Sequence, residues 1–286
     1  MSSNISTSAT ASSAGDLSVQ ASAAQHGQPP GLIVPALSLC RRELVRFIRQ
    51  PNRVIGAFAT PIVFWLLIGA GMGHSFRSDH VDGGYIRYFF PGTILMILLF
   101  TAIFSTISII EDRREGFLQS VLVAPVSRMA VVLGKVLGGT ALAFGQGFIF
   151  LLLAPTVHIH LTPLTFLLSC AIMLLLSFAL TALGFAIAWP MDSNQAFHAI
   201  INLFLIPLWL LSGALFPMTG ASGWIRWLML ANPLTYGVEA LRQLLFPGNP
   251  GVASLSASFA TLVLFSLFMF GLAFLMANRR TTKPAA

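Results

Sequence analysis

Residues able to do chemistry are few in this chain of 286 residues: 16 Lys and Arg, nine Asp and Glu, six His and two Cys. The acidic residues fall outside the long apolar runs and no Ser, His and Asp set can be assembled, so no catalytic residue is assigned. The chain reads as a non-enzyme. Gly134-Lys135 invites a phosphate-loop reading, but that loop needs Gly and Ser or Thr where Met129 and Val136 stand. No cofactor is therefore expected on this chain, and any ATP and Mg belong to another subunit. His158 and His160 form an HxH pair without further ligands, and Cys40 and Cys170 offer neither a disulfide framework nor a metal cluster. What remains is recognition chemistry. Thr101, Ser105 and Ser108 recur at i, i+4 and i+7, and Gln146, Ser177 with Thr181, and Asn202 add mild hydrogen-bonding groups inside apolar runs. Such groups either bond helices to one another or line a path for the polar part of a substrate. No Asp, Glu, Lys or Arg stands in the middle of a run, which disfavours a proton- or ion-coupled carrier.

These groups must be positioned by a membrane, because 56% hydrophobic residues, 9% charged residues and a mean hydropathy of +0.83 are too apolar for a soluble domain. The net charge of +7 does not point to nucleic acid, since the basic residues flank apolar runs instead of lining one polar face. The expected fold is an all-α polytopic membrane protein. Runs of about 20 apolar residues suffice to cross a bilayer, and six are read, at 54–72, 89–110, 131–157, 164–188, 196–216 and 252–277. Residues 1–35 are expected to be a disordered tail, because the first thirty hold eight Ser, six Ala, two Thr and one charge, Asp16. Neither a secretory signal nor a transit peptide is legible there. Residues 36–280 form the membrane domain and 281–286 a cytoplasmic tail.

Three elements accompany the spans. From Ala36 to Gln50 an amphipathic helix places Leu37, Cys40, Leu44, Phe47 and Ile48 on one face and Arg42, Arg46 and Arg49 on another, as for a helix lying flat on the cytoplasmic leaflet. Glu111 to Arg128 is a charged island between two spans. In it Phe117, Leu118, Val121 and Leu122 make the apolar stripe of one short helix starting at Glu115 and Gly116 and stopped by Pro125. Such a stripe sinks into headgroups or into a groove on a partner. Pro217 to Gly251 holds two apolar patches too short to cross, which reads as a hairpin of half-length helices dipping into the outer leaflet. Asn232 and Pro233 cap and begin its second helix, and Asp192, Ser193 and Asn194 are candidate caps for the fifth span. Small residues at Gly69 and Gly73, at Gly134 and Gly138, and at Gly139, Ala143 and Gly147 mark faces of close helix approach. Twelve Lys and Arg fall in loops on one side and four on the other, which places both termini in the cytoplasm.

In this arrangement the chain resembles the membrane subunits of type-2 ATP-binding-cassette exporters, and most of all the daunorubicin-resistance permease group. The likeness is carried by Glu115, Gly116, Val121, Pro125 and Arg128, then Gly134-Lys135, by LSGALFP at Leu211 to Pro217, and by NPLTYGVEALR at Asn232 to Arg242. The second set marks Pro217, Asn232, Pro233, Tyr236, Glu239 and Arg242 as residues of the outer hairpin. The resemblance implies a half-transporter of the inner membrane, paired with a second copy of itself, with two cytoplasmic ABC ATPases below. It further implies that the island from Glu111 to Arg128 is the coupling helix and that an amphipathic drug, lipid or lipid-linked glycan is moved outward. The alternative is a carrier or channel working without ATP, and beyond it a membrane-anchored structural or enzymatic protein.

Overall fold

The computed structural model describes residues 31–72, 84–124, 126–248 and 251–279. The described residues are all-helical and carry twelve α-helices. They run α1 Ile33–Ile48, α2 Pro51–Gly71, α3 Tyr85–Tyr88, α4 Phe90–Ser105, α5 Ile107–Arg114 and α6 Phe117–Val123. They continue with α7 Arg128–Leu151, α8 Pro163–Ala188, α9 Asn194–Leu210, α10 Gly223–Ala231, α11 Pro233–Leu245 and α12 Leu255–Asn278. The predicted tail before Gly31, Gly73, Pro125 and the residues after Arg279 lie outside the described residues.

Five helical stretches are long and apolar enough to cross a membrane: Val54–Gly71, Tyr85–Arg114, Arg128–Leu151, Pro163–Ala188 and Leu255–Asn278. The chain is a multi-pass membrane protein. The expected fifth span, 196–216, is shorter than read from hydropathy: α9 has 17 residues and ends at Leu210. Pro207 lies within α9 and cannot donate the backbone bond of that turn, and Gly213 takes a left-handed φ of 77°. The third span ends early too, at Leu151, with a short 3₁₀ turn at Ala154–Val157 in place of further α-helix.

A helix apolar on every side belongs in the middle of a bundle. α4 is such a helix, and from Phe90 to Leu99 every residue is buried. α7 and α8 pack around it. Gly139 and Gly147 make this possible, since a Cβ on Gly147 would stand 2.6 Å from Leu98 and one on Gly139 would run into Ser105 and Thr181. At the upper end Trp65 of α2 sits edge-on to Phe90 and Phe150, 5.7 and 5.3 Å between ring centres. α2 and α12 lie outermost and expose much of their apolar surface.

α1 does not lie across the base of the bundle; it runs up alongside α7. Ala36 and Leu39 meet Gly134 and Glu43 meets Gly138, where added Cβ atoms would stand 2.7 and 2.8 Å from those neighbours. Its buried stripe is Ala36, Leu39, Glu43 and Phe47, at i, i+3, i+7 and i+11. The expected apolar face is split instead: Phe47 is buried, Cys40 and Leu44 are half-buried, and Leu37 and Ile48 are exposed. Arg42 and Arg46 point into the protein, because acids there pair with them.

The small residues of α7 thus serve two partners, and that gives a test. Gly134→Val should detach α1 and lower stability by about 1–3 kcal/mol, the usual cost of overpacking. Gly145→Ala, with nothing within 4 Å of its Cβ, should cost less than half as much. Equal thermal unfolding shifts for the two purified variants would contradict this packing.

Candidate functional site

Three constellations concentrate the polar chemistry of the chain. The first is an ionic cluster where α1, α5 and α7 meet. Asp112 on α5 is fully buried and receives Arg42 through two guanidinium nitrogens, at 2.9 and 2.7 Å, and Arg46 at 2.9 Å. Lys135 on α7, also buried, donates to Asp112, to Glu43 of α1 at 2.6 Å and to Ser108 at 3.3 Å. Arg46 reaches on to Glu111 at 2.8 Å and to Glu115 at 3.5 Å. Four acids therefore face three bases, and the most buried ones are each bonded more than once, which is what buried charge requires. The Arg42 guanidinium is held above its ordinary value, first by its hydrogen bond to Asp112. Its Cζ also lies 3.7 Å from the centre of the Phe117 ring. The Cys40 thiol nearby is pushed up by burial and is a packing residue.

The island from Glu111 to Arg128 holds the end of one helix as well as the short helix expected from Glu115 and Gly116. Glu111 and Asp112 complete the helix descending from the second span, the chain turns at Gly116 with φ 75°, and α6 begins at Phe117. Only glycine takes that backbone angle without strain. Phe117 and Leu118 are packed against the protein, Leu118 being 3% exposed, whereas Leu122 and Val123 are 40% and 88% exposed. The face open to a partner is thus Glu115, Gln119, Ser120, Leu122 and Val123. Arg128, at the start of α7, donates to the Ala277 carbonyl of α12 at 2.7 Å. Arg113 binds the Met191 carbonyl at 3.0 Å and Asp192 at 3.1 Å, which ties the same loop to the α8–α9 turn.

The second constellation closes the opposite end. After α9 stops, the LSGALFP segment leaves carbonyls without helical partners, and α3 and the hairpin supply the donors. Arg242 donates to Gly213 at 2.9 Å, Tyr88 to Gly213 at 3.2 Å and Tyr85 to Leu215 at 2.8 Å. Asn232 donates to Leu208 at 2.7 Å, while its side-chain oxygen accepts from the Leu234 amide at 3.0 Å as the cap of α11. Glu239 pairs with Arg242 one turn away, and Arg242 lies 4.4 Å from the Tyr88 ring centre. Tyr236 donates to the Leu230 carbonyl at 3.0 Å and so holds the two hairpin helices together. Pro217 and Pro233 begin the following helical turns. The two sequence stretches LSGALFP and NPLTYGVEALR are one contact surface.

Between these ends lies a cavity of about 630 Å³. Phe47, Pro61, Met96, Phe100, Phe104 and Ile107 give it an apolar body, and Gln50, Thr60, Thr101, Glu111, Asn194 and His198 give it polar points. Of the expected path residues only Thr101 lines it. Ser105 turns back to the Ala102 carbonyl at 2.6 Å, Ser108 joins the ionic cluster, and Asn202, further along α9, is exposed. Among the described residues no group of three His, Cys, Asp or Glu is placed to hold a metal ion.

The ionic cluster was missed as a site when the charges were read as loop residues. Two signals were present in the sequence: a lone acid, Glu43, on the stripe Ala36-Leu39-Glu43-Phe47, and a lysine seven residues into α7. Both are charges on faces that must be buried.

A family model described as ABC-2 type transporter matches residues 36–246, from α1 through the hairpin. The chain belongs to that family. Among relatives of this ABC-2 permease, the putative transport permease ycf38 of Cyanophora paradoxa is 28% identical over 209 residues, 72% of each chain. Nodulation protein J of Sinorhizobium fredii is 25% identical over 230 residues, 79% of this chain and 86% of that one. The probable multidrug ABC transporter permease YbhR of Escherichia coli is 24% identical over 164 residues, 56% of this chain and 44% of its own.

The cluster makes a quantitative prediction for the permease. Lys135→Met leaves Asp112 and Glu43 short of a buried cation and should cost about 3–5 kcal/mol. Combining it with Asp112→Asn should recover part of that loss. Thermal unfolding in detergent measures both, and an unchanged midpoint for Lys135→Met would deny the cluster a stabilising role.

Proposed function

We propose that this chain is the membrane-spanning subunit of an ATP-driven exporter, working as a pair of identical copies, with ATP and Mg bound by separate cytoplasmic ABC subunits. The family and the transport names of its relatives support the general role. The single observation that carries the coupling mechanism is the ionic cluster. It fastens α1, the foot of the second span and the head of the third into one unit from which α6 hangs through Phe117 and Arg42. A push on the exposed face of α6 would then tilt those helices together instead of bending a loop, as rigid-body switching requires. α6 is therefore the coupling helix, with Glu115, Gln119, Leu122 and Val123 meeting the ATPase, and Leu118 supporting it from behind.

The substrate is an amphipathic drug, lipid or lipid-linked glycan. An aromatic cavity with scattered hydrogen-bonding groups supports an amphiphile, and the relative named as a multidrug permease supports a drug-like one. The membrane is the cytoplasmic one and both termini lie inside. α9 is about 26 Å long at 1.5 Å per residue, short of a bilayer core of about 30 Å. The hairpin α10–α11 then fills the outer leaflet beside it, with exposed Trp224 and Trp227 at headgroup level.

Two expected outcomes follow from this arrangement. Val123→Asp should abolish co-purification of the ATPase and transport while leaving the permease folded, because the residue faces outward; Leu118→Asp should instead destabilise the permease itself. Retention of ATPase binding and transport by Val123→Asp would rule α6 out as the docking element. In a background free of Cys40 and Cys170, cysteines at Ser222 and Ser254 should react with an impermeant reagent from outside; labelling only after the inner face is opened would reverse the hairpin's side.

A further inference from the structure

A second hollow, about 450 Å³, lies on the far side of the cavity wall, in the elbow between α1, α2 and α7. Leu44, Ile48, Ile55, Leu142 and Ile149 make it apolar, and Phe47 borders both hollows. Ile48, Ile55 and Ile149 are well exposed, so the groove faces whatever surrounds the bundle, which for a membrane protein is lipid. The one polar side chain lining it is Gln146. It is only 7% exposed, its carbonyl oxygen accepts a hydrogen bond from Thr101, and its amide nitrogen is buried without a partner. Thr101 in turn lines the cavity.

A buried amide donor without an acceptor costs roughly 1–3 kcal/mol, and in hydrocarbon no water stands by to relieve it. An ordinary acyl chain in the groove would leave that donor unpaired. A ligand with a hydroxyl or carbonyl within its apolar body would satisfy it, while the rest of the molecule lies along Leu142 and Ile149. The sites adjoin through Thr101–Gln146 and Phe47, so a ligand held by Gln146 is one side-chain movement from the cavity.

We propose that this groove is a second binding site, outside the cavity, for a membrane amphiphile bearing a hydrogen-bonding oxygen in its apolar body, and that the Thr101–Gln146 pair is the wall it crosses on loading. The inference rests on the exporter reading only for where the ligand goes next. Its binding stands independently of the ATPase.

The test uses the full chain in lipid nanodiscs and two diazirine-bearing probes of equal length, stearate and a mid-chain hydroxystearate, with labelled peptides mapped by mass. The hydroxylated probe should label residues 141–149 about fivefold more than stearate, the worth of one net hydrogen bond. Gly145→Phe, which projects into open space in the groove, should remove most labelling by both probes. Gln146→Leu should erase the preference for the hydroxylated probe, whereas Thr101→Val should keep it. Equal labelling of the wild-type protein by the two probes, or labelling indifferent to Gly145→Phe, overturns the proposal. The wild-type comparison needs no variant to fold. Loss of transport with probe labelling intact would count against the exporter reading alone, and absent labelling in a transport-competent complex against this one.

Discussion

Burying Lys135 and Asp112 inside a membrane protein is the constraint on which one end of the bundle depends. Neither ion is tolerable alone in a medium of low dielectric constant, so α1 must be docked to bring Glu43, Arg42 and Arg46 to them. Docking requires backbones to approach closely, and Gly134 and Gly138 permit it. The two requirements support each other. Small residues let the helix in, and the charges penalise its leaving far more than apolar contact alone would. The result is that a helix outside the five apolar stretches is built into the bundle.

The opposite end solves a different problem by different means. Its unsatisfied groups are backbone carbonyls, exposed where α9 is cut short by Pro207 and Gly213. They are met by side-chain donors from α3 and the hairpin, namely Tyr85, Tyr88, Asn232 and Arg242. Arg242 is kept in place by Glu239, so its charge is compensated while its other nitrogen serves Gly213. An end bound by ion pairs and an end bound by neutral carbonyls differ in what loosens them: the first responds to charge, the second to competing hydrogen bonds.

Between these ends the side chains are apolar except for a few amides and hydroxyls. Most of the hydroxyls are spent: Thr140 and Thr181 donate to carbonyls one turn back in their own helices, and Ser105 does the same. Gln146 and Thr101 bond to each other instead, so their bond joins two helices and stands between two hollows.

The sequence by itself determined the class of protein, five of the six expected membrane runs, the caps and the two short helices after Pro217. These rest on local quantities: run length, the break at Pro51, Ser193 and Asn232 at helix starts, and the two patches between Pro217 and Gly251. The resemblance read from LSGALFP and NPLTYGVEALR agreed with the family, because those residues are held by contacts with one another. Tertiary structure alone decided which way the faces point. The stripe of Leu37 and Ile48 and the row of Arg42 and Arg46 are equally amphipathic whichever side faces the protein, and only Asp112, some seventy residues away, sets the choice. The same holds for Leu118, which is buried while Leu122 on the same short helix is exposed, and for Ser105, Ser108 and Asn202, whose neighbours periodicity cannot name. Hydropathy also overran the ends of α7 and α9, since apolar residues remain apolar after the helix stops. A one-dimensional pattern records how strongly a residue wants a partner; the packed bundle determines which partner it receives.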